Sequence, residues 1–215
     1  MTSPSKSEWL MPVGLLVLST VPLLAGAIRL SQLASGEQIT PDNARFFAAP
    51  LPIVMHIFAA TLYCIIGTLQ FMPGFRCRNP RWHRIAGWGL VPLGLVAAFS
   101  GLWMTQFYPI GINPPASFDG PVLYAIRLLA GSSMALFLCL GLAAVLRRDI
   151  PHHRAWMMRG FAVGLGAGTQ VFTHLPWFLF PNIQGELART LCMAAGWVIN
   201  LALAEWLINA RRLIV

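Results

Sequence analysis

Four histidines, His56, His83, His153 and His174, stand at the edges of long apolar runs or inside them. An imidazole is costly there unless it is hydrogen-bonded or does chemistry. A neutral ring with one nitrogen held by a hydrogen bond offers the other as a metal ligand or proton acceptor. In helical geometry, at about 1.5 Å per residue, His56 and His174 both fall roughly 9 Å inside one boundary, and Arg127 is at a comparable depth. His83 and His153 each open a run at the opposite boundary. Two imidazoles at each of two depths is a pattern that can ligate two haem b groups between facing helices. His56 with His174 would form one pair, His83 with His153 the other. Arg127 at the first level and Arg84 and Arg154 at the second, with Arg76, Arg78, Arg81 and Arg159, are placed to meet the propionates.

The elements that must hold these residues follow from composition. The 215 residues are 57% hydrophobic and only 10% charged, with a mean hydropathy of +0.66, whereas a soluble domain carries about 25% charged residues. A disordered, collagen-like or disulfide-framework protein is excluded; Cys64, Cys77, Cys139 and Cys192 lack zinc or C-x-x-C spacing and are expected to serve packing. Runs near the ~20 residues needed to cross a bilayer extend over about Leu10 to Leu30, Leu51 to Phe71, Ile85 to Phe107, Val122 to Leu146, Trp156 to Phe180 and Leu187 to Ala210. They predict an all-α, polytopic membrane protein: a single domain spanning residues 1–215, with six transmembrane helices in a bundle. Ala25-Gly26-Ala27 mimics a signal-peptide cleavage site, but its apolar run is long enough to read as a span.

The charges give orientation. Lys6, Arg76, Arg78, Arg81, Arg84, Arg147, Arg148, Arg154, Arg159, Arg211 and Arg212, eleven of the fifteen basic residues, fall on one side with Glu8, Asp149 and Glu205. The other side holds Arg29, Arg45, Arg127 and Arg189 against four acids. The positive-inside bias predicts both termini in the cytoplasm of a bacterial inner-membrane protein. The net charge of +8 is then a topology signal and not a sign of nucleic-acid binding, and the expected partner is the lipid bilayer.

Helical phase tests which faces point inward. From His56, the residues Ala60, Tyr63, Gly67 and Gln70 fall within about 40° of one face. Taken as one straight helix, the fifth run carries His153 and His174 about 31 Å apart, with Gly160, Gly164, Ala167 and Gly168 between them on nearly the same face. Gly87, Gly94 and Gly101 follow His83 at heptad spacing. Such stripes serve close helix packing or a cofactor groove. Glu205 and Arg159 share a depth and predict an interior ion pair, with proton delivery to a quinone as the alternative. Trp9, Trp82, Trp156 and Trp177 near segment ends suggest an interfacial belt. The fourth run has no histidine; Gly131, Ser132, Ser133 and Met134 occupy its middle.

Two loops resemble one another: Arg78-Asn79-Pro80-Arg81-Trp82-His83-Arg84 and Arg148-Asp149-Ile150-Pro151-His152-His153-Arg154. In each, a proline precedes a His-Arg pair that opens a helix. With His56, Gly67-Thr68-Leu69-Gln70-Phe71, Arg76, Gly87 and the run His153-Arg154-Ala155-Trp156-Met157-Met158-Arg159, the chain resembles a family of predicted bacterial membrane proteins catalogued as a domain of unknown function. That resemblance covers most of residues 50–175 and implies a multi-helix membrane fold with an important pair of His-Arg turns. More distantly, the histidine-bearing core resembles the transmembrane di-haem cytochrome b and ferric-reductase superfamily, which implies electron relay from quinol to a redox partner protein. Two other readings stay open: a non-catalytic membrane subunit or assembly factor with structural histidines and no cofactor, and a small-molecule or proton-coupled transporter using His56, Gln70, Arg127, His174 and Glu205.

Overall fold

A computed structural model describes residues 6–108 and 118–212. Every regular element among them is helical: α1 (Lys6–Ser35), α2 (Ala44–Ala48), α3 (Pro50–Gln70), α4 (Pro73–Arg78), α5 (Pro80–Phe107), α6 (Pro121–Leu146), α7 (Ile150–Gly164), α8 (Gly166–Thr173), α9 (Leu175–Leu179), a 3-10 turn at Pro181–Ile183 and α10 (Glu186–Arg212). Among the described residues five stretches are long and apolar enough to span a membrane: Trp9–Ser35, Pro50–Gln70, Pro80–Phe107, Pro121–Leu146 and Glu186–Ala210.

The sixth expected span, Trp156 to Phe180, is not one helix. It is broken at Leu165 and again at His174, giving α7, α8 and α9. Gly160, Gly164, Gly166 and Gly168 crowd the first break, and glycine is among the poorest helix formers. Pro176, which lacks a backbone donor, follows the second. His153 and His174 therefore do not share a helix, and the phase relation expected of a straight segment does not apply. Pro92, by contrast, sits inside an α5 that runs unbroken.

Helices joined in sequence pack together: α3 on α5, α5 on α6 and α6 on α7, while α1 lies against α3 and α8, and α10 against α8 and α7. The centre is built from Tyr63, Leu90, Ala98, Met134, Leu138 and Phe161. Leu138 is fully buried, and a methyl group placed on Gly94 would come within 2.6 Å of its Cδ1 and 2.8 Å of Tyr63. Gly67, Gly94, Gly160 and Gly164 thus receive large side chains from facing helices, whereas Gly87, expected in the same stripe as Gly94, has no neighbour within 4 Å of where a methyl would stand. Large apolar residues such as Phe58, Ile85, Trp88, Leu129 and Trp206 are exposed on the outside, as a lipid-facing surface requires.

The bundle has two rims. One carries the His-Arg turns. Pro80 begins α5, and Asp149 caps α7, accepting a hydrogen bond from the His152 amide at 3.2 Å. Arg148 just before it has φ of 61°, a left-handed conformation that glycine usually supplies at a helix end. The other rim carries Asp119. Trp177 there is buried, with its ring 4.9 Å from Phe118 in an edge-on contact, so it packs inside the fold instead of joining an interfacial belt.

Candidate ligand-binding cavity

The broken helix is repaired from outside. Asn200 of α10 donates its side-chain amide to the Ala162 carbonyl at 3.1 Å, one of the acceptors that the break releases. Its own oxygen accepts from Thr169 at 2.7 Å. One turn on, Gln170 donates to the Met193 carbonyl at 3.0 Å and Thr173 to the Cys192 carbonyl at 2.7 Å. Interrupted helices are tolerated at membrane depth where neighbours satisfy the freed backbone groups. The close approach extends to α1: a methyl on Gly168 would fall 2.4 Å from the Leu18 carbonyl oxygen.

Beside this break lies a cavity of about 520 Å³, walled by α1, α3, α5, α6, α7, α8 and α10 and lined by Ser19, Gly26, Ala60, Met134, Gly164 and Trp197 among others. A second hollow of about 290 Å³ sits at the Asp119 rim. The two share Ile53, His56, Gly101, Thr105 and Arg127 in their linings, so the rim hollow, a vestibule, and the larger, half-open chamber adjoin at these residues, which mark the throat between them.

His56 lies at that throat with Thr105 and Arg127. Its Nδ1 lies 2.9 Å from the Ala97 carbonyl and 3.1 Å from the Ser100 hydroxyl, and that hydroxyl donates to Val96 at 2.6 Å. A carbonyl can only accept, so Nδ1 carries the hydrogen and Nε2 of the neutral ring is left as the acceptor. Gly101 leaves room for the ring, since a methyl there would touch Cε1 at 3.4 Å.

The vestibule gathers charge. Asp119, its side chain 12% exposed, binds Arg127 at 2.8 Å and Arg189 at 2.5 Å. Burial alone would raise the Asp119 carboxyl, but hydrogen bonds and charge from both arginines outweigh it and hold the group below its ordinary value. Arg45 also lines the vestibule, and its Nε is buried without a hydrogen-bond partner. Burial pulls the Arg45 guanidinium below its ordinary value; Asp119 opposes this, while Arg127 and Arg29 add to it. Arg29, on the inner chamber, and Arg45 both stack on Phe46, at 4.4 Å and 4.8 Å from the ring centre. Of the four arginines that sequence assigns to the less basic side, Arg127 and Arg189 thus bind one carboxylate, while Arg45 and Arg29 gather beside it on Phe46.

Residues 53–208 match the family described as Predicted membrane protein (DUF2306). The chain belongs to this family. No curated protein and no solved structure matches it. The family span of this DUF2306 protein includes His56, Asp119, Arg127 and Arg189, while Arg29 and Arg45 precede it.

The other residues singled out by sequence are distributed as follows. His174 is buried, with Nδ1 donating to the Gln170 carbonyl one turn back at 2.7 Å; it is not in the wall that holds His56. His83 lies within electrostatic reach of His153 and Arg76, and its Nδ1 is buried without a partner. His153 is held by the Gly141 carbonyl at 2.8 Å. Arg84 is exposed and Arg154 half-buried. Gln70 points inward with both amide atoms buried and unpartnered. Arg159 and Glu205 form a two-pronged ion pair, one contact at 2.8 Å, with the guanidinium 4.5 Å over the Trp156 ring. Among the described residues no three His, Cys, Asp or Glu side chains converge as a metal site. Sequence reading passed over Asp119, Arg45, Ser100 and Asn200. The equal count of acids and bases on the Asp119 side was the available signal.

Proposed function

We propose that this DUF2306 protein is a small-molecule carrier of the bacterial inner membrane, taking its ligand into the inner chamber from the Asp119 rim. One observation carries the reading: the larger cavity among the helices and the vestibule at the rim adjoin, with His56, Gly101 and Arg127 lining both. Two features support it. The break between α7 and α8 lies on the chamber wall, and interrupted helices frame ligand sites in many carriers. His56 presents an acceptor nitrogen at the throat, suited to a ligand donor or a proton. The positive-inside bias puts the Asp119 rim on the non-cytoplasmic side.

Site-directed labelling tests this. With all four native cysteines changed to serine, Ala60→Cys on the chamber wall is expected to react with a small membrane-impermeant thiol reagent added from the Asp119 side. Adding Gly101→Phe should block the reaction. An Ala60→Cys protein that reacts only with membrane-permeant reagents would sink the proposal.

A second reading, haem-mediated electron transfer between a quinol and a partner, draws support from one observation: His83 and His153 lie within reach of each other at the opposite rim. A reduced-minus-oxidised visible spectrum of protein purified from haem-replete cells decides it. A haem band lost in both His83→Ala and His153→Ala would favour electron transfer; a featureless spectrum removes it.

A further inference from the structure

We propose that the vestibule is a head-group site for an amphipathic oxyanion, a carboxylate or phosphate on an apolar tail, with the tail in the inner chamber. This rests on the carrier reading and adds the ligand class. Three arginines and one aspartate line the vestibule, and a fourth arginine lines the chamber behind it. Asp119 serves Arg127 and Arg189. Arg45 makes no ion pair of this kind among the described residues, and its buried Nε has no partner. The neighbouring acids do not fill that role: Asp42 reaches Arg45 only as a weak through-space charge, and exposed Glu186 lies against Gly120. Residues 109–117, which lead to Asp119, contain no Asp or Glu.

Several guanidinium groups drawn together out of water repel one another unless an anion joins them. Their planar forks match the paired oxygens of a carboxylate or phosphate. Phe46 carries Arg29 and Arg45 on its ring, at 4.4 Å and 4.8 Å from its centre. Beyond the throat the walls turn apolar, with Ile57, Ala98, Met134 and Trp197 around the chamber. A small inorganic anion would leave that chamber unused, whereas an apolar tail fills it.

The experiment is calorimetric titration of the full chain in a neutral detergent with octyl phosphate, octanol and inorganic phosphate. Octyl phosphate is expected to bind at least tenfold more tightly than either of the others. Arg45→Gln should remove most of that advantage while leaving octanol binding unchanged, and Arg29→Gln should do so in part. Equal binding of octyl phosphate and octanol would overturn the head-group assignment while leaving the carrier reading in place. Inorganic phosphate binding as tightly as octyl phosphate would overturn the amphipathic ligand and point to a free anion. Binding of none of the three would overturn both. The comparison of ligands uses the unaltered protein, so it stands even if a variant fails to fold.

Discussion

The two rims of the bundle use arginine in opposite ways. At the His-Arg rim the basic residues are many and several, including Arg81, Arg84, Arg147 and Arg148, are exposed. At the Asp119 rim there are four, and they meet around Asp119 and Phe46. Charge density along the sequence marks the first rim, but solvated charges cost little and interact weakly. Burial makes a charge consequential, because a guanidinium removed from water must find a partner. The rim with no net charge is therefore the one that draws its charges together.

The sharpest way to break this comparison is to remove the carboxylate. Asp119→Ala is expected to cost up to about 3 kcal/mol, the lower end of what breaking a buried ion pair costs because its two arginines are 27% and 30% exposed, whereas Arg84→Ala at the other rim should cost less than about 0.5 kcal/mol. Unfolding in mixed detergent measures both, and equal losses would erase the distinction. Acid should act through the same group. The Asp119 carboxyl is held below its ordinary value in the folded protein, so its contribution is complete above the usual carboxylate range and is lost as pH falls through the lowered value. Asp119→Asn should flatten that part of the stability profile.

Next in size is the packing that walls the chamber. Gly168→Ala would drive a methyl toward the Leu18 carbonyl, and overpacking of this kind costs about 1 to 3 kcal/mol. Asn200→Ala, which removes the bonds to Ala162 and Thr169, should cost about 1 kcal/mol, as side-chain hydrogen bonds between membrane helices do. Unfolding transitions of the two variants rank them.

The smallest effects belong to the His-Arg rim. Arg148→Gly relieves a left-handed backbone and is expected to stabilise by no more than about 1 kcal/mol. Asp149, its side chain 44% exposed, is also held below its ordinary value, first by the hydrogen bond from the His152 side chain and then by that from its amide. The sign matches that of Asp119: its contribution is present above the usual carboxylate range and fades as pH drops through the lowered value. A titration of melting temperature should show a far shallower acid loss removed by Asp149→Asn than by Asp119→Asn.

Much of this architecture is legible in the residues. Apolar run lengths locate the helices, because the bilayer sets the length of whatever crosses it. The inward face of α3 follows from His56, Ala60, Tyr63 and Gly67 at helical spacing, and Tyr63 and Gly67 are indeed buried. Matching depth is enough to place Arg159 opposite Glu205. The fifth segment reads differently, since periodicity cannot register two breaks that depend on Asn200, Thr173 and Gln170 satisfying backbone groups across a helix interface. His56 and His174 share a predicted depth, yet the ring of His174 is tied to its own preceding turn.

The sequence by itself determined the class, five of the six expected spanning helices and the unequal charge of the two rims, because these depend on local composition and on the cost of placing each residue type in lipid. Tertiary structure alone decided which charges are buried together. Arg29, Arg45, Asp119, Arg127 and Arg189 come from five separate parts of the chain, and no spacing rule connects them. They meet because α1, α2, α3, α5, α6 and α10 end at one rim, around a chamber that the glycines and the broken helix leave open.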